Sequence, residues 1–297
     1  MMLSTLLLLF GTGIWAPGLE AINVEAFPKY EISPIEKSWE EQKKNPYFTA
    51  RSVMLVEADS MIDLYHYNSN LRLPMASLTK LMTALIIMEN HGLDEVVTIS
   101  KVSSLTEGST MHLLSGEKLT VKQLLKGLLM NSGNDAAIAL AEFHSGTVYA
   151  FVNEMNVRAE ELFMTQTHFA NPHGLDSSVH YASSRDLILL AKKLWQYPEI
   201  QKIVDTKFDS VFSDNLENKE SGEKREVEHI LKNTNKLLNA GFQVHGMKTG
   251  TTPNAGQCLM LVIEKENKFY FLVILGSEDR YQDARNILYE LFQKSYN

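Results

Sequence analysis

Two short apolar runs, Ser52-Val53-Met54-Leu55-Val56 and Met61-Ile62-Asp63-Leu64-Tyr65-His66-Tyr67, flank the turn-forming pair Asp59-Ser60. β-prone runs on either side of such a pair predict a hairpin. From Ser77 the period lengthens: Leu78, Leu81, Met82, Leu85 and Ile86 fall on one helical face, and Gly92 can end the helix. The middle of the chain keeps that period. Val121 to Met130 is amphipathic, and Asn134 or Asp135 is placed to cap a helix through Leu140. Ser184 is placed to cap another that carries Leu187, Leu190, Ala191 and Leu194 and stops near Pro198. Asn171-Pro172-His173-Gly174 reads as a turn. Strands return at 244–249, 257–264 and 269–276, and an amphipathic helix is expected over 283–294. Strands at both ends of a helical middle predict an α+β fold, in which the N-terminal hairpin completes an antiparallel sheet and a helical lobe lies beside it.

Composition adds limits to that picture. The 297 residues are 44% hydrophobic, enough for a sizeable core, and the net charge of -8 leaves no basic stripe for nucleic acid. A single cysteine, Cys258, excludes an internal disulfide and a multi-cysteine metal cage; its apolar neighbours make it a small buried side chain. Residues 3–16 have the length and apolarity of an export-signal core, although no Lys or Arg precedes them. The expected organisation is a signal peptide over 1–21, cleaved near Ala21, and a linker over 22–47 broken by Pro28, Pro34 and Pro46. One domain is expected over 48–297. The charged stretch 206–228 reads as a solvated excursion, with a β-hairpin as one form it can take.

Three strings carry candidate chemistry. In Ser77-Leu78-Thr79-Lys80 the spacing puts a hydroxyl and an amine on one helical face. A serine needs an adjacent base to act as a nucleophile. Lysine can be that base only if burial and a second cation, for which Lys248 is the candidate, lower its pKa from about 10.4. Ser132-Gly133-Asn134 offers a hydroxyl to relay a proton and an amide to hold a peptide group. Lys248-Thr249-Gly250 ends a strand, where glycine permits close approach by a ligand. Each string alone is equally a helix cap, a loop or a strand-end turn; their order in one chain is what argues for a site. His168, His173 and His180 match no zinc spacing, and the His-Glu-x-x-His pattern is absent, so they read as core or turn histidines with no metal.

The trio matches that of penicillin-recognising serine enzymes. Over roughly residues 40–295 the chain resembles the serine D-alanyl-D-alanine carboxypeptidases among the low-molecular-mass penicillin-binding proteins. The resemblance also rests on the strings 167–176 (Thr-His-Phe-Ala-Asn-Pro-His-Gly-Leu-Asp), 181–187 (Tyr-Ala-Ser-Ser-Arg-Asp-Leu) and 233–238 (Asn-Thr-Asn-Lys-Leu-Leu). Gly246-Met247 and Ala255-Gly256 around the Lys-Thr-Gly string add to it. It implies a DD-peptidase/β-lactamase-like fold and an acyl-transfer cycle on the D-Ala-D-Ala end of peptidoglycan stem peptides. In that cycle Ser77 is the nucleophile, Lys80 the general base and Ser132 the proton donor to the departing amine. Asn134 holds the substrate backbone, Lys248 gives electrostatic support, and Thr249 and Arg280 meet the terminal carboxylate. The N–H groups of Ser77 and Thr251 form the oxyanion hole. β-Lactams become covalent inhibitors, no cofactor is needed, and the enzyme works in the periplasm or at the cell envelope.

The chain departs from the family pattern in three places. It stops soon after the catalytic region, with no C-terminal β-domain or membrane anchor evident. Glu161-Leu162-Phe163 replaces a Leu-Gly pattern, and the 206–228 insert is unusually charged. The alternatives are a DD-endopeptidase of the same chemistry, a class A β-lactamase, disfavoured because its deacylating glutamate setting is replaced by the Asn-Pro-His-Gly turn, and a non-catalytic penicillin-binding module.

Overall fold

The computed structural model describes residues 48–217, 224–238 and 243–293. The expected signal peptide 1–21 and linker 22–47 lie outside the described residues. The chain begins with the hairpin β1 (Ser52–Glu57) and β2 (Asp63–Tyr67) and then enters the helix α1 (Lys80–Asn90). A helical middle follows: β3 (Val96–Thr98), α2 (Lys101–Ser104), β4 (Lys118–Thr120), α3 (Val121–Leu129), α4 (Asn134–Ser145), α5 (Val148–Glu161), α6 (Ser184–Leu194) and α7 (Pro198–Asp205). It closes with β5 (Phe208–Glu217), β6 (Lys224–Lys232), β7 (Gln243–Thr252), β8 (Gly256–Lys265), β9 (Lys268–Ser277) and α8 (Arg280–Gln293).

The expected antiparallel sheet forms with strand order β2-β1-β9-β8-β7. Its central strands read as unbroken apolar runs because both faces are covered. Met54, Val56, Met260, Val262, Phe271 and Val273 face the helical lobe and its core. The alternating residues Val53, Leu55, Leu259, Leu261, Leu272 and Ile274 face Ala284, Ile287 and Leu288 of α8. The sheet is therefore the middle of three layers. At the centre of the lobe lies α1, buried without a break from Lys80 to Ile87. Among the described residues no helix is long and apolar enough to cross a membrane.

Three local expectations are corrected. The cap of α6 is Ser183, whose hydroxyl accepts from the Asp186 N–H at 3.1 Å, and Ser184 is already helical. Pro198 opens α7 rather than merely closing α6, because a helix's first turn has no use for the missing N–H. Gly133 precedes α4 without a side-chain cap, which leaves both Asn134 and Asp135 free for other partners. The charged stretch 206–228 takes the β-hairpin form: β5 and β6 pair antiparallel and join β3 and β4 in a second sheet of order β3-β4-β5-β6, and the two strands bury Val211, His229 and Leu231.

Candidate active site

Ser77 stands in a tight turn, Ala76–Thr79, that leads directly into α1. Ala76 has φ +50, a left-handed backbone that side chains rarely adopt, and it is held there by packing: the residue is 1% exposed. One turn on, the Lys80 side chain has no exposure at all. Its Nζ lies 3.0 Å from Ser77 Oγ, 2.7 Å from Asn134 Oδ1 and 2.6 Å from the His173 carbonyl oxygen. Burial pushes the Lys80 ammonium well below its ordinary value, the charge on Lys248 pushes the same way, and Asp135 opposes both. A neutral amine has two hydrogens and one lone pair. The Asn134 and His173 oxygens can only accept, so they take both hydrogens and turn the lone pair to the Ser77 hydroxyl.

The second string sits between α3 and α4. Ser132 has φ +60, and the strand of backbone after it is pinned by Gly133 N–H to Gly127 O at 3.0 Å and Asn134 N–H to Ser109 O at 2.6 Å. The Asn134 side chain is fixed at both ends: Oδ1 accepts from Lys80, and Nδ2 donates to the Glu107 carbonyl at 2.7 Å. Asp135 accepts from the N–H groups of Met111, Leu113 and Ala136, which ties the start of α4 to the 111–113 segment.

The third string lies on β7, at the edge of the main sheet. Lys248 is 1% exposed and donates to the Thr249 carbonyl at 2.9 Å. Burial first, and then the Arg280 guanidinium, lower its pKa to about 7. Thr249 Oγ1 donates to Thr234 Oγ1 at 2.7 Å. Gly250 admits the close approach of the Ser77 turn: a Cβ there would stand 2.6 Å from Ser77 N and 2.8 Å from Ala76 Cβ. Arg280, the first residue of α8, braces this edge. Its Nη1 donates to the carbonyls of Gly250 (2.7 Å) and Cys258 (2.8 Å), its Nε to Gln257 Oε1 (3.0 Å) and its Nη2 to Thr251 Oγ1.

Ser77, Ser132, Thr249, Thr251 and Arg280 open onto one cleft of about 590 Å³. Lys80, Asn134 and Lys248 do not line it: they are buried, Lys80 in contact with Ser77 and Asn134, and Lys248 on β7 next to Thr249. The sequence also left some partners unassigned. Thr234, from the segment after β6, lines the cleft beside Thr249. The turn 171–174 supplies the second acceptor for Lys80, the His173 carbonyl. Gly174 has φ +96 and lies so close that a Cβ would be 2.0 Å from the Ala76 carbonyl. The Asn171 side chain bonding back to Gly174 N–H at 2.6 Å is the mark of a turn, but a backbone acceptor leaves no residue-type signal. His180 is buried beside it, bonded to Thr79 Oγ1 at 2.7 Å and Ala170 N at 2.9 Å, while His168 bonds the Val179 carbonyl. Among the described residues no group of three or more His, Cys, Asp or Glu is arranged to hold a metal ion. Cys258 is buried in β8, and burial pushes its thiol up to about 11.

Comparison with known proteins agrees with this arrangement. A family model described as D-alanyl-D-alanine carboxypeptidase matches residues 39–279. The D-alanyl-D-alanine carboxypeptidase DacF of Bacillus subtilis is 40% identical over 233 residues, 77% of this chain and 57% of that protein. This chain thus spans less than two thirds of that relative's length. The D-alanyl-D-alanine endopeptidase of Escherichia coli is 33% identical over 243 residues, 80% of this chain and 74% of that protein. The crystal structure of the Streptomyces K15 DD-transpeptidase superposes with a TM-score of 0.77 at 31% identity, covering 83% of this chain and 98% of that one. With a family model spanning most of its length and the same fold in a solved relative, the chain belongs to the D-alanyl-D-alanine carboxypeptidase family.

Proposed function

We propose that the protein is a serine D-Ala-D-Ala carboxypeptidase that removes the terminal D-Ala from peptidoglycan stem pentapeptides at the cell envelope, with β-lactams as covalent inhibitors. The observation that carries this reading is the buried Lys80 amine, 3.0 Å from Ser77 Oγ, with two fixed acceptors for its hydrogens. Lys80 takes the hydroxyl proton as Ser77 Oγ adds to the penultimate D-Ala carbonyl carbon. The oxyanion is met by the N–H groups of Ser77 and Thr251 at the junction of the nucleophile's turn and the sheet edge. The amine of the terminal D-Ala leaves with a proton from Ser132, which Lys80 resupplies. Water then splits the Ser77 ester and releases the shortened peptide. Asn134 holds the substrate backbone, Thr249 and Arg280 meet the terminal carboxylate, and the buried Lys248 gives electrostatic support.

A second reading is a DD-endopeptidase that cleaves cross-links by the same steps; the endopeptidase relative, matched over 74% of its own length, favours it. One experiment separates the two. The protein and its Ser77→Ala variant are incubated with muropeptides containing pentapeptide monomers and cross-linked dimers, and both pools are followed by mass spectrometry. The proposal expects pentapeptides to lose one D-Ala, with no change in the variant. Dimers that split while pentapeptides persist would make the protein an endopeptidase, and an active Ser77→Ala variant would overturn both readings.

A further inference from the structure

The turn after Gly174 reaches further than Lys80. Two residues on, Asp176 Oδ1 accepts from Thr252 Oγ1 at 2.6 Å, and its Oδ2 accepts from the Asn254 N–H at 3.1 Å. Thr252 is the last residue of β7 and adjoins Thr251; its hydroxyl also accepts from Ala255 N–H at 3.1 Å, so it holds the whole β7–β8 turn. At the other end of the same short segment, Gly174 is pressed on the nucleophile's turn, where an added Cβ would lie 2.9 Å from Ser77 N. Residues 174–176 therefore bridge the two backbone segments that carry Ser77 N–H and Thr251 N–H. From the opposite side Arg280 Nη2 donates to Thr251 Oγ1, so the end of β7 is held between a carboxylate and a guanidinium.

We infer that Asp176 is a positioning residue of the reaction: through Thr252 and Asn254 it sets the separation of the Ser77 and Thr251 N–H groups, and so the fit of the oxyanion hole. The inference rests on the acyl-transfer reading of the site. Asp176 touches no substrate. Its effect falls on the step in which the carbonyl oxygen becomes an oxyanion, because that oxygen moves toward donors whose spacing must already be right. Initial binding of the ligand, which depends on the wider cleft, is left unchanged.

The test uses the full-length protein and a chromogenic cephalosporin or fluorescent penicillin, with the rate constant of acylation and the dissociation constant of the preceding complex measured separately. In Asp176→Ala and in Thr252→Val the acylation rate constant is expected to fall between about 10-fold and 100-fold, as for a donor displaced by a fraction of an ångström. The dissociation constant should stay within about twofold, and Thr252→Ser, which keeps the hydroxyl, should restore the rate. Approaching the contact from both sides keeps the test sound if the Asp176 variant does not fold. Wild-type acylation rates in Thr252→Val, or a loss confined to the dissociation constant, would overturn the inference while Ser77 labelling stands. Labelling that survives in Ser77→Ala would overturn the reading of the site and this inference with it.

Discussion

The lack of a side chain at position 250 decides whether the Ser77 turn and the sheet edge can meet. Replacing Gly250 by alanine sets a Cβ 2.6 Å from a backbone nitrogen, and neither β7, tied to β8, nor the Ala76–Thr79 turn, tied to α1, is a flexible neighbour. Gly250→Ala is expected to destabilise the protein by about 1–3 kcal/mol. It should also slow penicillin acylation at least about tenfold, since the donors and the nucleophile move apart. Urea denaturation and stopped-flow labelling would measure both effects; wild-type acylation in the variant would refute the close approach. The residues of the site were legible at this scale because their chemistry lies in side chains at short spacings: Ser77 with Lys80, Ser132 with Asn134. What stayed hidden was carried by backbone or by distant partners. The His173 carbonyl that orients Lys80 has no residue-type signature, and Asp176 meets a threonine 76 positions away.

Elements were legible where one burial pattern ruled a whole segment. The sheet strands announce themselves because both faces are covered, and α1 because it runs through the lobe's centre. The β5–β6 hairpin follows the charged stretch 206–228, and that charge hides a few buried positions on its two strands. Among these is His229, 3% exposed, whose Nε2 lies 3.0 Å from the Oε2 of the fully buried Glu117 while its Nδ1 faces the Met111 carbonyl at 2.9 Å. Burial alone would lower the His229 pKa, but hydrogen bonding and the charge of Glu117 outweigh it and hold the imidazole above its ordinary 6.5. The pair fastens the hairpin to the 111–117 loop, whose Met111 and Leu113 N–H groups bond Asp135 beside Asn134. Glu117→Gln removes the carboxylate that holds the proton on His229 and weakens a buried hydrogen bond, and is expected to destabilise the protein by about 1–3 kcal/mol. In NMR titration His229 should fall below 6.5. An unchanged urea midpoint with an unchanged His229 titration would show that the hairpin is held by its apolar contacts alone.

For the whole molecule, the two buried histidines pull the pH dependence of stability in opposite directions. His180 Nδ1 accepts from Ala170 N–H, so its Nε2–H donates to Thr79, whose hydroxyl donates in turn to the Ala76 carbonyl. Burial first, then the charges of His168 and Lys80, against an opposing Asp176, lower His180 from 6.5 to about 4. Below 6.5 the unfolded chain binds a proton that the native site refuses, so the stabilisation is complete above 6.5 and is lost as pH falls toward about 4. The drop amounts to on the order of 3 kcal/mol. For His229 the sign reverses: its raised pKa stabilises the fold below 6.5, and that contribution is lost as pH rises through the folded value. The His180 contribution is complete above about 6.5 and the His229 contribution below it, so these two groups together place maximal stability near pH 6.5. Because His180 is tied to the Ser77 turn, acid should loosen the nucleophile's support together with the fold. Melting temperatures from pH 4.5 to 6.5 should therefore rise steeply in the wild type and more gently in His180→Gln, which can keep a donor toward Thr79 without taking up a proton. Equal slopes in the two proteins would assign the acid sensitivity to the carboxylates instead.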